Sequence, residues 1–129
     1  MIYTYSIPEY RIVVPGRAIS FRSPLAKAYK RTVRKIARRA FSHPASNQKV
    51  HIFVDYFHTK RRRVDVDNVA KCIMDALSGV VYVDDRQVRI EKTSSHSLQS
   101  IVHISGGPVD LVKPLKALSE YVFVRVRLS

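Results

Sequence analysis

The sequence predicts an α+β fold, a small mixed β-sheet with helices packed against it. Two stretches place apolar residues at three- and four-residue spacing, and several shorter ones alternate with a period of two. The two kinds mix without a regular strand–helix–strand rhythm, which separates this pattern from a doubly wound sheet. At 129 residues, with 46% hydrophobic and 26% charged residues, the chain is expected to be one domain, residues 1–129, with one core of two packed layers.

The first element is a strand within "IPEYRIVVPGRAISF", where β-branched residues precede the turn chemistry of Pro15-Gly16. Ser23-Pro24 then predicts a helix start, with serine capping free N–H groups and proline tolerated at the first position. Leu25, Ala28, Tyr29, Val33, Ile36, Ala37 and Ala40 form its expected apolar stripe, and Lys27, Lys30, Arg31, Arg34, Lys35, Arg38 and Arg39 fill the rest. "SHPASNQ" breaks the helix, and "VHIFVDYF" alternates as a strand with two useful faces. A second helix is expected from about Asp67 to Ser78, stopped by Gly79, followed by a short apolar strand "VVYV" that ends at Asp84-Asp85. "QVRIEKT" and "QSIVHIS" read as a hairpin. "VDLVKPLKALSE" stays ambiguous, with Pro114 able to open a short helix. The last strand, "EYVFVRVRL", has a clean period of two.

Charge narrows the function. Twenty-three Lys and Arg against ten acids give +13, a field that attracts polyanions and favours nucleic acid as partner over a merely solvated surface. No apolar run approaches the roughly 18 residues of a spanning helix, and the N-terminus lacks a signal peptide's apolar centre, so no membrane and a cytoplasmic location are expected. The single cysteine, Cys72, excludes an internal disulfide and reads as a packing residue. The five histidines show no ligand spacing, and no nucleophile elbow, phosphate loop or dinucleotide fingerprint occurs.

Against this basic background, five of the ten acids fall within "VDVDNVAKCIMDALSGVVYVDD", residues 64–85, directly after Lys60-Arg61-Arg62-Arg63. On a helix begun at Asp67, Lys71 lies about 40° and Asp75 about 80° around from it, so the three share a face. Asp65, in the extended entry, can aim at the same spot, and the end of "VVYV" brings Asp84 or Asp85 near. Converging carboxylates repel unless a cation neutralises them, and hard oxygen ligands suit magnesium, with manganese as its substitute. Set in a basic surface, such a site would hold a phosphodiester for metal-assisted cleavage, with Lys71 adding charge to the transition state. Pattern alone leaves a second assignment open: Asp67 as a helix cap, Asp65 and Asp75 as arginine partners, and Asp84-Asp85 as a turn. The calcium-loop pattern fails at Val69 and Ala70. The phosphatase opening Asp-x-Asp-x-Val fails because the first Asp follows four basic residues rather than an apolar strand.

The run "RRRVDVDNVAKCIMDAL", a glycine, a short apolar stretch and "DDRQV" together resemble the RusA family of Holliday-junction resolvases. The likeness is specific from about Arg61 to Val88 and looser around "VPGR", "VHIFVDYF" and the final strand. It implies a RusA-like fold and a homodimeric, magnesium-dependent endodeoxyribonuclease making paired nicks across four-way DNA junctions. Carried over position by position, Asp65, Asp67 and Asp85 correspond to metal-binding and catalytic aspartates and Lys71 to the catalytic lysine. Asp84 is a secondary metal candidate, and Asp75 a structural acid. Arg17, Arg61, Arg62 and Arg63 are the expected DNA contacts. After Glu91 the chain departs from the family pattern, with "KTSSHSLQSIVHISGGPVDLVKPLKAL" inserted before the last strand, a stretch suited to a different dimer contact or substrate preference. The competing class is a non-enzymatic nucleic-acid-binding protein, which explains the charge but leaves the carboxylates without a task.

Overall fold

A computed structural model describes residues 9–59, 65–98 and 120–129. In chain order the elements are β1 (Glu9–Pro15), α1 (Ala26–Ala40), β2 (Val50–His58), α2 (Val66–Leu77), β3 (Val88–Ser97) and β4 (Tyr121–Leu128). The strands form one mixed sheet in the order β1-β4-β2-β3. β4 runs antiparallel to both β1 and β2, whereas β2 and β3 are parallel. Adjacent parallel strands need a crossover connection, and α2 supplies it. One strand–helix–strand unit is therefore present where the sequence showed no such rhythm.

Alternation along the strands separates two faces. Val50, Ile52, Val54 and Tyr56 of β2 and Val122, Val124, Val126 and Leu128 of β4 join the helices in the main core. On the opposite face Phe57, Tyr121 and Phe123 gather with Leu98 in a smaller cluster. β4, flanked by strands on both sides, is buried almost throughout. Cys72 is fully buried in the main core, where burial pushes its thiol pKa up, as suits a packing residue.

Four sequence expectations shift. The first helix begins at Ala26, because the Ser23 hydroxyl accepts from Leu25 N–H at 3.1 Å and closes a turn ahead of the helix. Its buried stripe is Ala26, Tyr29, Val33 and Ala37, and Leu25 is left exposed. The second helix begins one residue before Asp67, with Asp65 as its cap: one carboxylate oxygen accepts from Asp67 N–H at 3.1 Å. At its other end Gly79, at φ +85°, turns the chain away, and the Arg34 guanidinium from α1 donates to the Ala76 carbonyl. The expected strand "VVYV" is a turn folded back on the helix end, with Val80 and Val81 N–H both donating to Leu77 O. Its residues are apolar because Val81 and Tyr82 sink into the core. Finally, "QVRIEKT" opens β3, which pairs with β2 rather than forming the first arm of a hairpin. "QSIVHIS", residues 99–118 of the inserted stretch and most of "VDLVKPLKALSE" lie outside the described residues. Among those described, no helix is long and apolar enough to cross a membrane.

Candidate active site

The crossover brings α2, the turn after it and β3 around a pocket of about 310 Å³. Asp67, Lys71 and Asp75 enter from one face of α2, Asp85 from the turn, Glu91 from β3 and Phe21 from the loop preceding α1. Four carboxylates and one ammonium thus share a single concavity on a chain whose surface is otherwise dominated by cations. The buried side of α2 (Val69, Ala70, Cys72, Ile73, Ala76 and Leu77) fixes the rotation of the helix, and so fixes which residues reach the pocket.

The Asp85 side is braced by hydrogen bonds. Asp85 opens a single 3-10 turn, Asp85–Gln87, capped by the Asp84 carboxylate, which accepts from Arg86 N–H at 2.9 Å. Gln87 locks the turn. Its side-chain oxygen accepts from Val83 and Asp84 N–H, each at 2.8 Å, and its amide nitrogen donates to Ser46 O at 2.7 Å and Gln48 O at 2.8 Å. Beneath lies the Tyr82 hydroxyl, 2.7 Å from Met74 O and 3.3 Å from an Asp85 oxygen. The Asp85 carboxyl titrates above its ordinary range. Partial desolvation at the pocket wall is the leading cause; the Tyr82 hydrogen bond opposes it, while the negative charges of Asp75 and Asp84 add to it.

The family model for the endodeoxyribonuclease RusA matches residues 11–104, which contain every pocket residue named above. The chain belongs to the RusA family. No curated protein matches the sequence.

Of the residues singled out by the sequence, the pocket gathers Asp67, Lys71 and Asp85. Asp65 and Asp84 are not among its lining residues. Each is engaged as a cap, and the second oxygen of Asp65 accepts from the Asn68 side chain at 2.9 Å. Asp75 pairs with Lys30 of α1 at 2.7 Å. Among the described residues no three histidine, cysteine or acidic side chains already converge in metal-binding geometry. The pocket's acids offer oxygen-only, anionic donors, the type that hard divalent cations prefer, and the charge of the Asp85 carboxylate is disfavoured chiefly by desolvation. Arg17 is exposed in the segment between β1 and α1, while Arg61, Arg62 and Arg63 lie outside the described residues.

Glu91, Phe21 and Gln87 carry parts of the site to which the sequence assigned no role. Glu91 was hidden by the hairpin reading. Once β3 is paired in parallel with β2, Glu91 stands opposite Ile52, whose side chain faces the helices. Phe21 gave no signal, because its contact with α2 depends on a backbone bond between distant segments, Phe21 N–H to Asn68 O at 3.1 Å.

Proposed function

We propose that this RusA-family chain is a divalent-metal-dependent endonuclease that nicks four-way DNA junctions, working as a homodimer so that two pockets related by a two-fold axis make paired cuts. The observation that carries the reading is the single pocket in which Asp67, Asp85 and Glu91 meet Lys71. Asp67 and Asp85, with Asp65 and secondarily Asp84 beside them, would hold magnesium or manganese. When bound, that ion supplies Lewis-acid polarisation of the phosphodiester and an activated water. Lys71 contributes a positive charge where negative charge develops on the phosphate. Exposed cations of α1, among them Lys27, Arg31 and Arg38, with Arg17 and the run Arg61-Arg62-Arg63, would hold flanking phosphates.

The test is cleavage of a synthetic four-way junction with magnesium, comparing wild type with Asp67→Asn. Loss of a ligand to a Lewis-acidic ion costs several kcal/mol of transition-state stabilisation, so cleavage should fall on the order of 10²- to 10³-fold while junction binding persists. Equal cutting by the two proteins would refute the assignment. Binding without cleavage of any branched or linear substrate would instead favour a non-enzymatic binding protein.

A further inference from the structure

Four carboxylates line the pocket, yet among the described residues the Lys71 ammonium pairs with none of them. It lies instead over the ring of Phe21, 4.6 Å from the centroid. An ion pair would be the default for this side chain, because Asp67 and Asp75 sit one turn before and one turn after it on the same helix, at the spacing where opposite charges meet, yet neither lies within ion-pair distance. Asp75 is already taken. Lys30 of α1 holds it at 2.7 Å, with its own ammonium 5.3 Å from the Phe21 centroid. Phe21 is in turn fixed by its backbone bond to Asn68 in the first turn of α2 and by packing of its ring against the main core.

The geometry points to Phe21 as the positioning residue for Lys71, an inference that rests on the nuclease reading of the same pocket. The negative face of the ring attracts the ammonium without consuming any of its three N–H donors, which stay available for a phosphate oxygen. A carboxylate in the same role would use those donors and would also lose the charge with which it could hold a cation. Lys30 completes the device, since occupying Asp75 keeps that acid from drawing Lys71 off the ring. The phenyl ring therefore separates the Lys71 ammonium, unpaired among the described residues, from its surrounding carboxylates.

The test uses the full chain with Phe21→Leu, which keeps apolar bulk but removes the ring, and Phe21→Tyr, which keeps the ring. The first readout is independent of cleavage. With ¹³C-labelled lysine and Lys71→Arg for assignment, the Lys71 ε-CH₂ resonance should be displaced by the ring current in wild type and in Phe21→Tyr. In Phe21→Leu it should sit at the ordinary lysine position. The second readout is junction cleavage. Phe21→Leu should lower kcat by about 3- to 30-fold at unchanged KM, with Phe21→Tyr near wild type. The inference is overturned if the wild-type resonance shows no displacement, or if Phe21→Leu loses the displacement but cleaves at the wild-type rate. Failure of the nuclease reading looks different: no variant cuts while the displaced resonance persists, which removes the catalytic role assigned here. Absence of displacement with cleavage intact refutes the positioning alone.

Discussion

Replacing Gln87 with leucine should loosen the turn that presents Asp85, and the structure sets the scale. The amide makes four hydrogen bonds, all to backbone groups, joining residues 83 and 84 to residues 46 and 48. Two of them, from Asp84 N–H and to Ser46 O, are partly buried; the other two are exposed, so water can replace them. At about 1 kcal/mol for each partly buried bond, plus some cost for stranding its backbone partner, the loss should be about 2 to 3 kcal/mol. For a domain of this size that is a fall in Tm of roughly 8 to 12 °C. Urea unfolding followed by circular dichroism measures it, with an unchanged slope showing that stability falls without a change in the surface exposed on unfolding. Gln87→Glu should be at least as damaging. It keeps the acceptor, but it turns an oxygen toward two carbonyls and adds charge beside Asp84 and Asp85. A Gln87→Leu protein within about 0.5 kcal/mol of wild type, or a Gln87→Glu protein more stable than Gln87→Leu, would refute the reasoning.

Other perturbations test separate parts of the molecule. The buried Tyr29 hydroxyl has no hydrogen-bond partner among the described residues, and burial pushes its pKa far up, so Tyr29→Phe should stabilise by about 1 kcal/mol in the same urea assay. At Glu9, burial alone would raise the carboxyl pKa, but the hydrogen bonds and charges of Arg11 and Arg127 together hold it below the ordinary value. A depressed carboxyl stabilises the fold above its unfolded pKa, near 4.3. The stability advantage of wild type over Glu9→Gln should therefore be complete at pH 6 and shrink as pH falls below about 4.3. A pH-independent difference would contradict it. Asp65→Asn should leave stability within about 0.5 kcal/mol, because asparagine caps as well as aspartate, yet reduce magnesium-dependent cleavage on the order of 10²-fold; wild-type cleavage would remove Asp65 from the ligand set. Removing Lys27, Arg31 and Arg38 together should reduce the slope of log affinity against log salt by roughly 2 to 3, whereas an unchanged slope would place the DNA elsewhere.

What the sequence revealed followed from local periodicity. The alternation of β2 and β4, the apolar face of α2 and the shared face of Asp67, Lys71 and Asp75 depend only on residues close in the chain, so spacing alone exposes them. What it concealed depends on contacts between distant segments. "VVYV" has strand composition, but its burial comes from folding back on the end of α2. The parallel pairing of β3 with β2 places Glu91 on the helix side, and no local pattern in "QVRIEKT" distinguishes that from a hairpin. Leu25 stands at helical spacing from Ala28 and Tyr29, yet it lies just before the helix begins and its side chain is exposed, which spacing alone does not reveal.

The structural roles left open by the sequence fall in part on other residues than expected: Asp65 rather than Asp67 caps α2, Asp75 pairs with Lys30 rather than an arginine, and Asp84 caps the 3-10 turn that Asp85 opens. In Asp65-Val66-Asp67 the first carboxylate caps α2, and capping sets where the helix starts and hence that Asp67 falls on the same face as Lys71. In Asp84-Asp85 the first caps the 3-10 turn and the second enters the pocket. Each pair couples a backbone-fixing acid to one left facing the cavity, an economical arrangement in a chain with only ten acids against 23 basic residues. Scattered over so cationic a surface, lone carboxylates would be drawn into ion pairs, as Glu9 is with Arg11 and Arg127 and Asp75 is with Lys30. Keeping Asp67 and Asp85 out of such pairs requires holding the backbone still and occupying the nearest ammonium elsewhere. The caps do the first, and the Phe21 ring does the second.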